Sequence, residues 1–184
     1  MSHRLKFCVF CFFVFFQTSG YAVETVYTVN PGDKIGISVW KEEDLMREVT
    51  VLPDGHISFP LVGEIQAAGL SLNQIKETVV AKLSEYISDP VVNIVMNSVE
   101  GNKVYVIGQV KLPGEILMYK PLDVMQVLSL AGGLTAFAKS NDIKVLRRDA
   151  KGSKAIEIEY GDLEDGDDLE KNILLKSGDV VVVP

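Results

Sequence analysis

The 184-residue sequence is poor in the side chains that carry most protein chemistry. It has two cysteines, Cys8 and Cys11, two histidines, His3 and His56, and one tryptophan, Trp40. A structural zinc site needs several Cys or His ligands at set spacings, and that framework is absent. Basic charge is also scarce: 18 Lys and Arg stand against 25 Asp and Glu, a net charge of −7. Nucleic acids and anionic membrane surfaces are bound by basic faces, so neither is an expected partner. No apolar run approaches the ~20 residues of a membrane-spanning helix. The longest, Phe7 to Phe16, has ten residues.

What is present is a globular balance, 47% hydrophobic and 23% charged, preceded by a segment of different character. His3, Arg4 and Lys6 form a short basic start, the apolar run follows, and small residues stand at Gly20 and Ala22. That order predicts a secretory signal peptide over residues 1–22, cut between Ala22 and Val23, with a cut after Gly20 as the nearest competitor. Both cysteines fall inside the segment to be removed, and none stands at the cut to accept a lipid. The expectation is an exported chain without disulfide or lipid anchor. Loss of Arg4 and Lys6 takes its net charge from −7 to −9.

The remainder divides at the polar break Glu100-Gly101-Asn102, giving segments 23–99 and 103–184. In the first, Tyr27-Thr28-Val29 leads into the turn Asn30-Pro31-Gly32-Asp33. Ile35, Ile37 and Val39 then alternate with Gly36, Ser38 and Trp40, the period of a half-buried strand. A strand at 49–52, a turn at Pro53-Asp54-Gly55-His56 and a return through Ile57-Ser58-Phe59 predict a hairpin, continued by 61–65. Ser71 and Gln74 have capping-box spacing ahead of a helix with Leu72, Ile75, Val79, Leu83 and Ile87 on one face. Asp89-Pro90 is its expected stop. An apolar strand occupies 91–96.

The second segment predicts strands at 104–108 and 115–118, then a helix opened by Pro121 and ended by Ala131-Gly132-Gly133. Strands follow at 143–146 and 155–160 about a turn at 150–153; a charged loop leads to a last strand, 180–183. The class is α+β, and strand, turn, strand, helix, strands is the order of a β-grasp domain, a sheet wrapped over one helix.

Little of this points to catalysis. His56 sits in a turn with no recognisable partner spacing and reads as an exposed turn residue. The acidic run Asp162, Glu164, Asp165, Asp167, Asp168 and Glu170 fails the calcium-loop register, because taking Gly166 as the sixth position puts Gly161 and Leu163 where the first and third ligands belong. It reads as a solvated connection. No phosphate-cradling glycine loop and no Gly-x-Ser-x-Gly occurs, and no spacing selects a carboxylate pair. The expectation is a protein that is not an enzyme, with no catalytic residue, cofactor or metal. Trp40 and Tyr105 are the candidates for stacking on sugar rings, against the plainer reading of packing.

Several separated motifs together resemble the outer-membrane polysaccharide export family of Gram-negative bacteria. Tyr27 through Trp40, Val51 through Gly63 and Asp89-Pro90-Val91-Val92 resemble its export domain. Val104 through Val110, Pro113-Gly114, Ala131-Gly132-Gly133 and Leu175 through Pro184 resemble its soluble-ligand-binding β-grasp (SLBB) domain. The resemblance implies a periplasmic part in exporting capsular or extracellular polysaccharide, as a homo-oligomeric ring forming or supporting a conduit. It also implies an inner-membrane polysaccharide copolymerase as partner. Long members add a membrane-crossing amphipathic helix, whereas here Pro184 directly follows the last β-grasp strand. The expectation is therefore a short type beneath a separate outer-membrane β-barrel. The alternative is a periplasmic glycan-binding regulatory module.

Overall fold

A computed structural model describes residues 26–149 and 152–184. The signal segment and its cut at Ala22 and Val23 lie outside the described residues. Two hydrophobic cores form, one from Val29 to Val92 and one from Val104 to Val183.

The first core lies under a three-stranded antiparallel sheet ordered β2-β1-β5, made of β1 (Lys34–Val39), β2 (Glu42–Thr50) and β5 (Val92–Ser98). β1 buries Ile35, Ile37 and Val39 and turns its other residues outward, as the alternation requires. α1 (Leu72–Leu83) lays Ile75, Val79 and Leu83 into the same core. Its capping box is formed: Gln74 N–H donates to Ser71 Oγ at 3.3 Å, and Ser71 N–H donates to Gln74 Oε1 at 2.9 Å.

Three expectations need correction here. The helix stops at Leu83, well before Asp89-Pro90, because its end tightens into turns with i−3 bonds, Glu85 N–H to the Lys82 carbonyl at 3.4 Å and Tyr86 N–H to the Leu83 carbonyl at 2.9 Å. Trp40 is not a strand residue: Val39 pairs with Glu42, so Trp40 and Lys41 form a two-residue hairpin turn. The strand at 56–59 does not return along 49–52. β3 (His56–Phe59) pairs instead with β4 (Gly63–Gln66) as a separate two-stranded ribbon, while β2 spends its ladder on β1.

The second core lies under a five-stranded sheet ordered β7-β6-β10-β8-β9, from β6 (Lys103–Gly108), β7 (Gly114–Leu117), β8 (Ile143–Asp149), β9 (Gly152–Ile158) and β10 (Val180–Val183). β10 runs parallel to β6 and antiparallel to β8. α2 (Val124–Leu130) packs Val124, Val127 and Leu128 beneath it, the β-grasp arrangement. Pro121 does not open this helix. Asp123 caps it, accepting from Gln126 N–H at 2.8 Å while Gln126 Oε1 accepts from Asp123 N–H at 3.1 Å. The acidic connection contains a short helix, α3 (Tyr160–Asp165), that sequence patterning missed; Leu163 anchors it in the core.

Candidate functional site

The joint between the domains is built from two copies of one local device. In the turn 30–33, Asp33 N–H donates to the Asn30 carbonyl at 3.0 Å, and Asn30 N–H donates to Asp33 Oδ2 at 2.8 Å. In the turn 176–179, Asp179 N–H donates to the Lys176 carbonyl at 3.0 Å, and Lys176 N–H donates to Asp179 Oδ2 at 2.8 Å. Gly32 and Gly178 hold the third position at φ +96° and +84°, a conformation that side chains resist. Each turn delivers the chain into a strand, β1 or β10, and each buries its aspartate completely.

The turns meet at Gly101. Its N–H donates to Asp33 Oδ1 at 2.8 Å, and its carbonyl accepts from Ser177 Oγ at 2.8 Å. One peptide residue is thus gripped by a turn from each domain. Only glycine fits, since a Cβ there would lie 2.3 Å from the Pro31 carbonyl oxygen. Next to it, Glu100 accepts from Ser98 Oγ at 2.9 Å and pairs with Lys34 at 3.2 Å, which holds its carboxyl below the usual range. The joint is therefore a fixed connection rather than a loose tether.

Asp33 also accepts the Tyr27 hydroxyl. Burial, and then that bond to the carboxylate, push the Tyr27 hydroxyl well above its ordinary value. The unfolded chain releases this proton at about pH 10, before the folded chain does. Its contribution to stability is fully present below pH 10 and falls as pH rises beyond it. Urea unfolding between pH 8 and 11.5 should show a steeper alkaline loss for the wild type than for Tyr27→Phe; parallel curves would refute the assignment.

A cleft of about 630 Å³ opens between the domains, lined among others by Tyr27, Asn30, Asn102, Tyr119 and Lys176. A second depression, of about 700 Å³, lies on the outer face of the five-stranded sheet, over Tyr105, Leu146, Arg148, Lys154, Ala155 and Val180.

The two sugar-stacking candidates part company. Tyr105 lies 39% exposed on that outer face, whereas Trp40 is 71% exposed at the β1–β2 hairpin tip and lines neither cavity. Neither is a core residue. Tyr119, more exposed than either, lines the cleft and was not singled out by pattern, because a lone tyrosine beside a turn carries no periodic signal. His56 stands half-exposed at the start of β3 with Nδ1 3.5 Å from Asp54 Oδ1. In the acidic connection, Lys171 sits 2.7 Å from Asp168 and 3.5 Å from Glu159, so the run is partly neutralised by its own cation. Among the described residues no helix is long and apolar enough to cross a membrane.

Comparison with known proteins places these elements. Residues 22–97 match the family described as polysaccharide biosynthesis/export protein, and residues 102–183 match the SLBB domain. The chain is 26% identical to the EPS I polysaccharide export outer membrane protein EpsA of Ralstonia nicotianae, over 88% of this chain and 48% of that protein. It is 33% identical to the polysialic acid transport protein KpsD of Escherichia coli, over 59% of this chain and 20% of that one. It is 28% identical to the exopolysaccharide production protein ExoF of Rhizobium meliloti, over 60% of this chain and 27% of that one. The chain spans about half the length of EpsA and a smaller part of the other two. With its two domains in this order on an α+β fold, the chain belongs to the polysaccharide export family, carrying one export domain and one SLBB domain.

Proposed function

We propose that the protein is a non-enzymatic periplasmic component of a polysaccharide export machine, forming or supporting a conduit for capsular or extracellular polysaccharide to the outer membrane. The observation that carries this reading is the succession of export domain and SLBB domain across almost the whole chain, matched along 88% of its length by a relative named for polysaccharide export. The rigid joint favours a structural part, since a conduit wall must hold its shape while polymer slides past. In this reading the chain assembles as a homo-oligomeric ring, beneath an outer-membrane β-barrel and above an inner-membrane polysaccharide copolymerase. Catalysis, cofactor and metal have no role.

Deletion of the gene should abolish surface polysaccharide while polymer accumulates inside the cell, and the intact gene should restore export. Unchanged surface polymer in the deletion strain, or accumulation of unmodified polymer that still reaches the surface, would overturn the reading.

A further inference from the structure

Two surfaces stand out once the cores and the joint are accounted for. The first is the outer face of the five-stranded sheet. Ladder register places Tyr105 opposite Val180, Val180 opposite Leu146 and Leu146 opposite Ala155, a row of apolar residues crossing four strands. Ile107 and Val182 stand in the adjacent row. The opposite face already holds the core, and on this one Tyr105 and Leu146 are 39% and 42% exposed among the described residues. A solvated sheet face is ordinarily polar, and a contiguous apolar one marks a contact surface. Its border is basic. The sequence of residues 143–158 has five Lys and Arg against two Asp and Glu, of which Arg147 is held by the buried Asp179 and Lys144 lies 3.8 Å from Glu157. Arg148 and Lys154, besides the Asp179-bound Arg147, line the depression itself.

The second surface is the β1–β2 hairpin. Residues 40–50 carry four acidic and two basic side chains, with Glu42, Glu43 and Asp44 consecutive. Trp40 and Met46 are each 71% exposed on it. The tip is fixed rather than trailing: Trp40 N–H donates to the Val91 carbonyl at 2.9 Å. Lys41 holds φ +67° in a two-residue turn where asparagine or glycine is the economical choice. A strained turn that projects a large aromatic into water serves nothing in the fold.

The surfaces are complementary in both respects, apolar and acidic against apolar and basic. We propose that the β1–β2 hairpin of one copy docks on the outer sheet face of the next copy. Trp40 and Met46 sit against Tyr105, Leu146 and Val180, and Glu42, Glu43 and Asp44 face Arg148 and Lys154. The contact joins different surfaces of two identical chains, one from each domain, so it propagates head to tail and closes as a ring or continues as a filament. The inference rests on the homo-oligomeric part of the proposed function and assigns its interface.

The test is light scattering and sedimentation of the purified protein over a concentration series at low and high salt. Wild type should associate with concentration, and less at high salt, because exposed charge pairs are screened. Glu42→Lys/Glu43→Lys/Asp44→Lys should weaken association by roughly tenfold or more, and so should Arg148→Glu/Lys154→Glu. Combining all five changes in one chain should restore it, as should mixing the two reversed chains. Trp40→Ala should weaken it without altering the salt response. Far-UV circular dichroism checks each fold, and the restored combination answers the objection that a variant is merely damaged. Association unchanged by both reversals would overturn this interface while leaving an oligomeric export component intact. A wild type monomeric at every concentration would overturn the self-contact, even where the deletion phenotype holds. Loss of binding to the cell's own polysaccharide in Arg148→Glu/Lys154→Glu, with mass unchanged, would give the sheet face to the polymer instead.

Discussion

Replacing Arg147 with methionine is expected to cost about 3–5 kcal/mol of folding stability in the second domain. The guanidinium lies on β8 and reaches the turn before β10, where Nη2 meets Asp179 Oδ2 at 2.6 Å and Nε lies 3.0 Å from Oδ1. Its Nη2 also donates to the Leu174 carbonyl at 2.9 Å. Asp179 is 1% exposed, so without Arg147 a carboxylate remains buried, with the Lys176 backbone amide as its donor among the described residues. The desolvation penalty then has no ionic offset. The double change Arg147→Met/Asp179→Leu should recover part of the loss, since no unpaired charge remains. Denaturant unfolding of the two variants and the wild type checks this; a single change costing under 1 kcal/mol would show that the pair is not stability-determining.

Asp33→Ala should cost about 3 kcal/mol and, in addition, loosen the joint. Three donors lose their acceptor at once: the Tyr27 hydroxyl, Asn30 N–H and Gly101 N–H. Two of these bonds shape the first domain, and the third holds Gly101 to it. Asp33→Asn should cost less, because the amide keeps one acceptor oxygen but turns an NH₂ toward the remaining donors. The distinguishing readout is cooperativity. Wild type should unfold with both domains in one transition, and Asp33→Ala should separate them, visible as Trp40 fluorescence and circular dichroism no longer coinciding. Coincident transitions in the variant would mean that the domains are coupled by other contacts.

Much of the architecture could be read from pattern because it rests on one-sided burial. β1 alternates, α1 announces itself by Ser71 and Gln74, and β10 is an unbroken valine run. β2 escaped because it is an edge strand in which Leu45 is the only fully buried residue and five of nine residues are charged. Charge on an edge deters unwanted pairing, and it also erases the hydrophobic period that reveals a strand. The partner of β3 escaped because pairing is a tertiary choice, and neighbouring ribbons compete for it with similar local signals. The recurrence of Gly-Asp before β1 and before β10 was visible as letters, but its meaning depended on both turns converging on Gly101. The candidate surfaces were less legible still. Trp40 reads as a strand residue until the register of β1 with β2 places it at a tip.

The grip on Gly101 has a further consequence for any assembly built from this chain. If one copy offers its first domain and receives with its second, the rotation from copy to copy passes through that single residue. A pliable link would let the angle drift, and drifting angles give a spread of copy numbers or open spirals. Held at both its N–H and its carbonyl, Gly101 makes the angle a property of the monomer. The circumference of the assembly is then written into two short turns rather than negotiated among its members.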